Sequence, residues 1–373
     1  MKAKEIVFEI IKETLGLKHL DLNSRFLDIG GNSLNLAEIK SRIKNQTGVD
    51  VEAKMFFSKE TSSIGNICDE VGRAKKETSY KLTNDEIRFF HKNGYVGPFK
   101  LFEPEEMDEI WNELRVELLD KRKAPFPDSK LNYDRHLDIE ILSYITSHPR
   151  VVERVNSILG PDILNWRTEW FPKYPGDEGT EWHQAQSFVE FEGTEKLVPT
   201  KPEQGQPWEL TAWFAMNRAT KENGCMKVMP GTHNTWYFDE KKNINFTPED
   251  INNKTARNGE KSGFYGYDFS KLKHDENWEP DETQALHIEM EPGEFFLFTS
   301  RCMHASNPNI TENMNRFGLA SRYVPTHVKV YPETNEFCHF GEKFSLDRYS
   351  PVLVSGRNSY DHNITSSPIS NVD

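Results

Sequence analysis

The sequence predicts two folded parts: a small all-α four-helix domain, followed by a larger, mainly β domain with flanking helices. Apolar residues at helical spacing dominate up to about residue 75, whereas short strands separated by Gly, Pro and Asn turns dominate from residue 163 onward. The 24 Phe, 12 Tyr and 8 Trp can supply a sizeable core. We therefore expect a first domain over 1–75, a linker over 76–82, a second domain over 83–365 and a disordered tail over 366–373.

The charge of the chain argues against two classes of partner. The net charge is −13, whereas nucleic acids and anionic membranes favour clustered Lys and Arg. No apolar run is long enough for a membrane span, and the first residues do not form a signal peptide. The four scattered cysteines fit a reduced protein. We expect a cytoplasmic protein that binds neither nucleic acid nor membranes.

A short motif in the first domain places a serine at the start of a helix. The motif is Asp28-Ile-Gly-Gly-Asn-Ser33-Leu34, and the helix is predicted to run from Leu34 to about Gln46. Taken alone, Ser33 fits a helix cap. On four short helices, however, the motif resembles that of acyl and peptidyl carrier proteins, and its Gly-Gly-Asn-Ser form resembles the amino-acid carriers of peptide synthetases. The resemblance implies 4′-phosphopantetheine on Ser33, at a helix start that favours phosphate.

A histidine in the second domain has an unusual neighbour. In Thr180-Glu-Trp-His183-Gln-Ala185-Gln-Ser-Phe188, the pattern indicates a strand or strand end. Non-haem Fe(II) is commonly held by His-x-Asp/Glu and a distant His. The position that would share the side of His183 on a strand is Ala185, and a methyl group cannot ligate a metal. Either this is a broken metal site, or a species from solution replaces the carboxylate.

Two further segments offer ligands and cations. His304 follows the apolar strand predicted over Glu294–Thr299, at a strand end where a metal ligand is plausible. Arg316 and Arg322 lie on one predicted strand and, both being even-numbered, face the same side. A buried guanidinium requires an anionic partner, which a dicarboxylate co-substrate would supply. Each residue taken singly also fits a purely structural role.

Together these motifs resemble those of a known enzyme family. Residues 83–345 resemble the Fe(II)/2-oxoglutarate oxygenases of the phytanoyl-CoA hydroxylase type, which implies a double-stranded β-helix (a cupin-like jelly roll). Within that group the chain resembles the carrier-dependent aliphatic halogenases of the syringomycin type. The matching motifs are Trp182-His-Gln-Ala185, Gly266-Tyr-Asp268, Asp275-Glu-Asn-Trp278, Met303-His-Ala-Ser306 and Ala320-Ser-Arg-Tyr-Val-Pro325. In those halogenases Ala or Gly replaces the carboxylate ligand, and halide binds the iron in its place.

The resemblance assigns roles to individual residues. It implies that His183 and His304 ligate Fe(II), and that Arg316, Thr180 and Trp213 bind 2-oxoglutarate. It further implies a chloride pocket at Ala185, Thr211 and Arg322, with Ala185 and Arg322 acting in catalysis beside the two histidines. We expect Phe188 and Glu190 to contact the cargo, Glu190 through an α-ammonium group.

The expected function is radical chlorination of an unactivated aliphatic carbon. The cargo would be an aminoacyl or acyl group, held as a phosphopantetheine thioester on the fused carrier domain or on a partner carrier. A phosphopantetheinyl transferase and an adenylation or other loading enzyme are the implied partners. Two alternatives remain open at this point: a carrier-dependent hydroxylase with two His ligands and water, and an inactive module that only docks a carrier.

Overall fold

The computed structural model describes residues 3–58, 61–77, 79–189, 194–201, 207–242, 244–247 and 267–369. Contacts divide the chain into two compact units, Met1–Tyr80 and Lys81–Asp373. Across the described segments, none of the helices is both long enough and apolar enough to cross a membrane.

The first unit is the expected four-helix fold. Its helices are α1 (Ala3–Thr14), α2 (Ser33–Thr47), α3 (Lys54–Phe57) and α4 (Ile64–Glu77). Apolar residues at helical spacing form one core, in which Ile10, Phe26 and Ile39 are fully buried or nearly so. Asn32 caps α2, because its Oδ1 accepts from the backbone N–H groups of Leu34 and Asn35 at 2.9 and 3.1 Å. Ser33 is therefore not the cap, and its side chain is exposed at the helix start.

The second unit begins with helices that cover one face of a sheet. They are α5 (Asn84–Asn93), α6 (Pro104–Glu117), α7 (Glu140–Ser147) and α8 (Pro149–Leu159). Thr83 and Glu86 form a capping box at the start of α5, and Gly94 ends that helix at φ 81°. The apolar faces of these helices pack on one side of the larger sheet described next.

Two antiparallel sheets form the body of this unit, as the predicted double-sheet fold requires. The strands are β1 (Tyr95–Lys100), β2 (Ile163–Lys173), β3 (Thr180–His183), β4 (Leu197–Pro199), β5 (Leu210–Ala215), β6 (Met226–Val228), β7 (Leu286–Ile288), β8 (Glu294–Phe298), β9 (His304–Ser306), β10 (Arg316–Pro325), β11 (Val328–Val330), β12 (Glu336–His339), β13 (Glu342–Ser345) and β14 (Val352–Ser355). The larger sheet has the order β1-β8-β5-β10-β2-β14 and the smaller has the order β3-β9-β6-β7. Two further antiparallel pairs complete the described strands: β12 with β13, which form a hairpin, and β4 with β11, which are distant in the sequence.

Two local expectations differ from the structure. Helix α4 continues to Glu77, two residues into the segment expected to be a linker. Residues 366–369 were expected to start a disordered tail, but Ser366 exchanges backbone hydrogen bonds with Pro351 and Leu353, and the N–H of Ile369 donates to Ser143. These bonds are made with distant parts of the chain, which the polar composition of the tail does not reveal.

Candidate functional site

The two sheets line a pocket whose empty space, including the part open to solvent, is about 830 Å³. The larger sheet lines it through β2, β5, β8 and β10, and the smaller sheet lines it through β3, β6 and β9. Most of the site residues predicted by the sequence analysis for the second domain line this cavity. They are Thr180, His183, Ala185, Phe188, Thr211, Trp213, His304, Arg316 and Arg322. Glu190 lies outside the described residues, and Ser33 belongs to the other compact unit.

His183 and His304 meet because β3 and β9 pair directly. The two residues are opposite each other in the register, and their ring centroids are 4.1 Å apart. The Nδ1 of His183 lies 2.9 Å from the carbonyl oxygen of Glu181, and the Nδ1 of His304 lies 2.8 Å from that of Cys302. When Nδ1 donates to a carbonyl, Nε2 carries the lone pair for a metal, an arrangement common among metal-binding histidines.

Burial keeps both imidazoles neutral. It lowers the pKa of His183 to about 4, with Arg322 acting in the same direction. Burial, and secondly the neighbouring His183, hold the pKa of His304 well below its ordinary value. Neutral imidazole is the form that ligates metal, so the pair is ready to bind at neutral pH.

Ala185 faces the cavity two residues beyond the end of β3. It is 3% exposed, and its N–H donates to the carbonyl of Ser300 at 3.0 Å. The intervening Gln184 anchors this turn, since its Nε2 donates to the carbonyl of Arg301 at 2.6 Å and its Oε1 accepts from the N–H of Tyr237 at 2.8 Å. Within the described part of the chain, no group of three or more His, Cys, Asp or Glu side chains could hold a metal. The two histidines are thus not joined there by a carboxylate.

One end of the cavity holds Arg316. This side chain is 1% exposed, and it donates to the carbonyls of Gly224 at 2.9 Å and Phe171 at 2.6 Å. Its guanidinium lies 5.2 Å from the ring of Trp213, whose buried Nε1 has no hydrogen-bond partner among the described residues. The hydroxyl of Thr180 lies 2.9 Å from that of Ser306. An indole donor beside a guanidinium is suited to a carboxylate.

Arg322 lies further along the same strand and has a protein partner that the sequence analysis missed. Its Nη2 donates to Glu169 on β2, and its Nη1 to the hydroxyl of Thr211 at 3.4 Å. Burial alone would raise the pKa of Glu169, but Arg322 and Arg167 outweigh this effect and lower it to about 2. The Nε of Arg322 is buried and has no partner among the described groups. One cationic donor therefore remains for an anion or acceptor.

Thr211 is positioned by a second buried acid. Its hydroxyl donates to Glu209 at 3.0 Å, and Glu209 also accepts from the N–H and hydroxyl of Ser300 at 2.9 and 2.8 Å. Burial raises the pKa of Glu209 to about 7. Because Ser300 also binds the N–H of Ala185, this network connects the two sides of the proposed chloride pocket.

The end of the cavity away from Arg316 contains residues to which the sequence analysis assigned no role. They are Arg167, Glu169, Lys196, His339 and Phe340. Arg167 and Glu169 lie two residues apart on β2 and so share one face of the strand; opposite charges at these positions of a strand rich in apolar residues were a signal that could have identified them. His339 and Phe340 come from the β12–β13 hairpin, where nothing in the local sequence indicates a cavity.

Comparison with known proteins identifies both units. A family model described as phytanoyl-CoA dioxygenase (PhyH) matches residues 90–317, which is more than half of the chain. A model described as a phosphopantetheine attachment site matches residues 5–71.

Individual relatives agree with these matches. A solved structure described as CytC3 with Fe(II) and alpha-ketoglutarate (2-oxoglutarate) is 36% identical, with a TM-score of 0.60, over 78% of this chain and 94% of that one. A probable phytanoyl-CoA dioxygenase of Caenorhabditis elegans is 24% identical over 63% of this chain and 73% of its own length. Gramicidin S synthase 2 of Brevibacillus brevis is 24% identical over 43% of this chain but only 3% of its own length.

The packing of Gly318 on Trp213 yields a first prediction. A Cβ at Gly318 would lie 1.9 Å from Cζ2 of the indole, so Gly318→Ala has to displace the ring beside Arg316. We expect Gly318→Ala to weaken 2-oxoglutarate binding by about tenfold or more, and Trp213→Phe to weaken it through the lost N–H donor. Equilibrium binding of 2-oxoglutarate under anaerobic conditions measures both effects.

The control for this prediction is Ser321→Ala, a small change on the other face of the same strand. It should leave 2-oxoglutarate affinity unaltered, and Fe(II) binding should persist in all three variants. Unchanged 2-oxoglutarate affinity in both Gly318→Ala and Trp213→Phe would show that the indole is not part of the co-substrate site.

Proposed function

We propose that this chain, which belongs to the phytanoyl-CoA dioxygenase family, chlorinates an aliphatic carbon of an acyl or aminoacyl group tethered to a carrier domain. The fold and family make it a non-haem Fe(II)- and 2-oxoglutarate-dependent oxidoreductase, and the N-terminal unit is a phosphopantetheine carrier domain. Chlorination rather than hydroxylation is the proposal. The single observation that carries it is Ala185, which lies beside two neutral histidines where a carboxylate ligand would be expected.

The described residues fit the two cofactors. His183 and His304 would hold Fe(II) through Nε2, since each Nδ1 is directed at a backbone carbonyl. Arg316 would bind the distal carboxylate of 2-oxoglutarate, and the buried Nε1 of Trp213, which lacks a protein acceptor among the described groups, fits the same carboxylate. Thr180 lines the same cavity and would contribute its hydroxyl, which lies 2.9 Å from that of Ser306.

The proposed chloride site has room and a donor. The methyl group of Ala185 leaves space that an Asp side chain would fill, and the buried Nε of Arg322 supplies an N–H directed at no described acceptor. A buried cationic donor without an acceptor is costly, so an anion is stabilised there. Thr211 borders the same side, but its hydroxyl donates to Glu209 and accepts from Arg322, so it positions Arg322 and supplies no further donor to the anion.

The reaction then balances around the cargo. Bound Fe(II), with 2-oxoglutarate and O₂, supplies the oxidising power to remove a hydrogen atom from an unactivated carbon, and chloride supplies the atom that replaces it. Overall, R–H, chloride, 2-oxoglutarate, O₂ and one proton give R–Cl, succinate, CO₂ and water. The contribution of the protein is positional, since aromatic side chains that include Phe188 and Phe269 enclose the cavity and limit where a tethered carbon can lie.

Reconstitution of the full chain tests the proposal. We would attach phosphopantetheine at Ser33, load a panel of aliphatic aminoacyl groups, and supply Fe(II), 2-oxoglutarate and O₂ with or without chloride. We expect intact-protein mass spectrometry to show chlorine replacing hydrogen on the cargo only when chloride is present. Ser33→Ala, which cannot carry the arm, is the control.

Two other outcomes of this experiment would support the alternative functions. Gain of one oxygen regardless of chloride would replace the proposal with the carrier-dependent hydroxylase. Unchanged cargo together with no Fe(II) binding would favour the inactive docking module.

Ala185→Asp tests the chloride pocket itself. The new carboxylate would occupy the space beside the histidines and repel chloride, so we expect chlorination to fall by roughly 100-fold or more, since close like charges cost several kcal/mol. Fe(II) should be retained, because two histidines and a carboxylate form a common Fe(II) site. Mass spectrometry of the cargo and metal analysis of the protein measure the two results.

Ala185→Gly is the matched control for this change. It enlarges the same space without adding charge, and it should keep chloride-dependent chlorination. If Ala185→Asp chlorinates as well as the unmodified chain, chloride does not bind next to residue 185.

A further inference from the structure

We propose that Arg167 is a cargo-binding residue, which donates a hydrogen bond from Nε to an acceptor oxygen of the tethered acyl group. This inference rests on the proposed function, because it deepens the description of the same cavity. The acceptor is the thioester carbonyl or a carboxylate on the cargo side chain, which share the same hydrogen-bond chemistry.

Arg167 lies at the end of the cavity away from the 2-oxoglutarate residues. On β2, Arg167 pairs with Arg322, whereas Lys173 pairs with Arg316. Six residues of extended strand, about 20 Å between α-carbons, separate Arg316 from Arg322. Arg167 therefore lies at the opposite end of the strand face from a co-substrate held at Arg316.

The side chain of Arg167 is buried yet incompletely satisfied. It is 2% exposed and lines the cavity, and its Nη2 donates to the hydroxyl of Tyr331. Among the described residues, its Nε has no hydrogen-bond partner. An unsatisfied buried guanidinium N–H is costly, and a bound acceptor would remove that cost.

Aromatic rings hold the guanidinium in place. Its central carbon lies 4.5 Å from the ring centroid of Phe337, 5.1 Å from those of Tyr133 and Trp166, and 5.6 Å from that of Tyr331. Such contacts stabilise the cation and fix its plane. Two buried acids interact with Arg167: Glu169, which accepts from Arg322, and Asp134, which accepts from the N–H of Thr168. The Nε donor is thus pre-positioned rather than mobile.

Backbone strain is concentrated around the same end of the cavity. Five described non-glycine residues have left-handed φ values, and two of them, Phe188 at 55° and Phe340 at 49°, line this cavity. Two more, Tyr331 at 48° and Asp134 at 54°, contact Arg167 or the adjacent Thr168. Strained residues of this kind cluster at ligand sites, where the surrounding structure has to enforce them.

A binding measurement tests the proposal without relying on turnover. The full chain carrying Ser33→Ala would be held anaerobically with Fe(II), 2-oxoglutarate and chloride, and soluble pantetheine conjugates would be titrated by equilibrium dialysis. The probes are a thioester with an aliphatic aminoacyl group, one with a side-chain carboxylate, and a thioether analogue of the first that lacks the carbonyl oxygen.

Arg167→Met keeps an unbranched stem among the rings and removes the donor. We expect its affinity for the thioesters to fall about 10- to 100-fold, the effect of losing one hydrogen bond from a charged donor. If the acceptor is the thioester carbonyl, both thioesters weaken and the thioether does not. If it is the side-chain carboxylate, only the acidic cargo weakens. Fe(II) and 2-oxoglutarate affinity should be retained in either case.

Two further variants separate binding from structural support. Arg122→Met makes the same change at an exposed arginine outside the cavity, and it should leave probe affinity unchanged. Arg167→Lys keeps the positive charge without Nε, and it should still lose affinity for the same probes. If Arg167→Met also fails to bind Fe(II) or 2-oxoglutarate, the probe affinity of Arg167→Lys is the measurement that tests the proposal.

Three outcomes would overturn the proposal. They are equal affinity of the Arg167 variants and the parent for every probe, an equal loss for all probes including the thioether, and no binding of any probe to the parent chain. A cargo that is hydroxylated instead of chlorinated would contradict the proposed function alone, because the binding result is obtained before any chemistry.

Discussion

The pairing of β10 between β2 and β5 determines where the cationic groups of the cavity lie. Arg322 is opposite Arg167 on one side and Thr211 on the other, and Ala320 is opposite Glu169 and Trp213. Because side chains alternate along a strand, Arg316 and Arg322 both face the smaller sheet that carries the two histidines. A slip of one residue in this register would turn both guanidinium groups away from the cavity.

This geometry gives the two arginines different environments. Arg316 donates to backbone carbonyls, which are neutral, whereas Arg322 is paired with the ionised Glu169. A carboxylate ligand is therefore better bound at Arg316, while at Arg322 the existing ion pair leaves a single donor, suited to a smaller anion. The differing partners, rather than the arginines themselves, separate the proposed co-substrate and chloride positions.

The sequence was sufficient to predict the fold and those site residues that lie within a recognisable short motif. The paired histidines, Ala185, Arg316 and Arg322 each stand in a short motif next to an apolar strand, and all five line one cavity. Glu169 was missed because its role depends on pairing with Arg322, which is 153 residues away. His339 and Phe340 were missed because a distant hairpin brings them to the site. Taken alone, Ser33 also fitted a helix cap in the sequence analysis, but the neighbouring Asn32 is the residue that caps the helix.

Ala185 alone does not make a halide site; its surroundings have to hold an open space. The side chain of Gln184 donates a hydrogen bond to the Arg301 carbonyl and accepts one from the Tyr237 N–H. These bonds hold the chain in place after β3, so the methyl group of Ala185 cannot move to fill the cavity. Without a donor, a small dry space next to the metal ligands would at most admit water, because halide loses its hydration there. The buried Nε of Arg322 supplies part of that compensation. In the proposed chloride site, space at Ala185 and charge at Arg322 therefore act as one unit, and we expect the loss of either to weaken chloride binding.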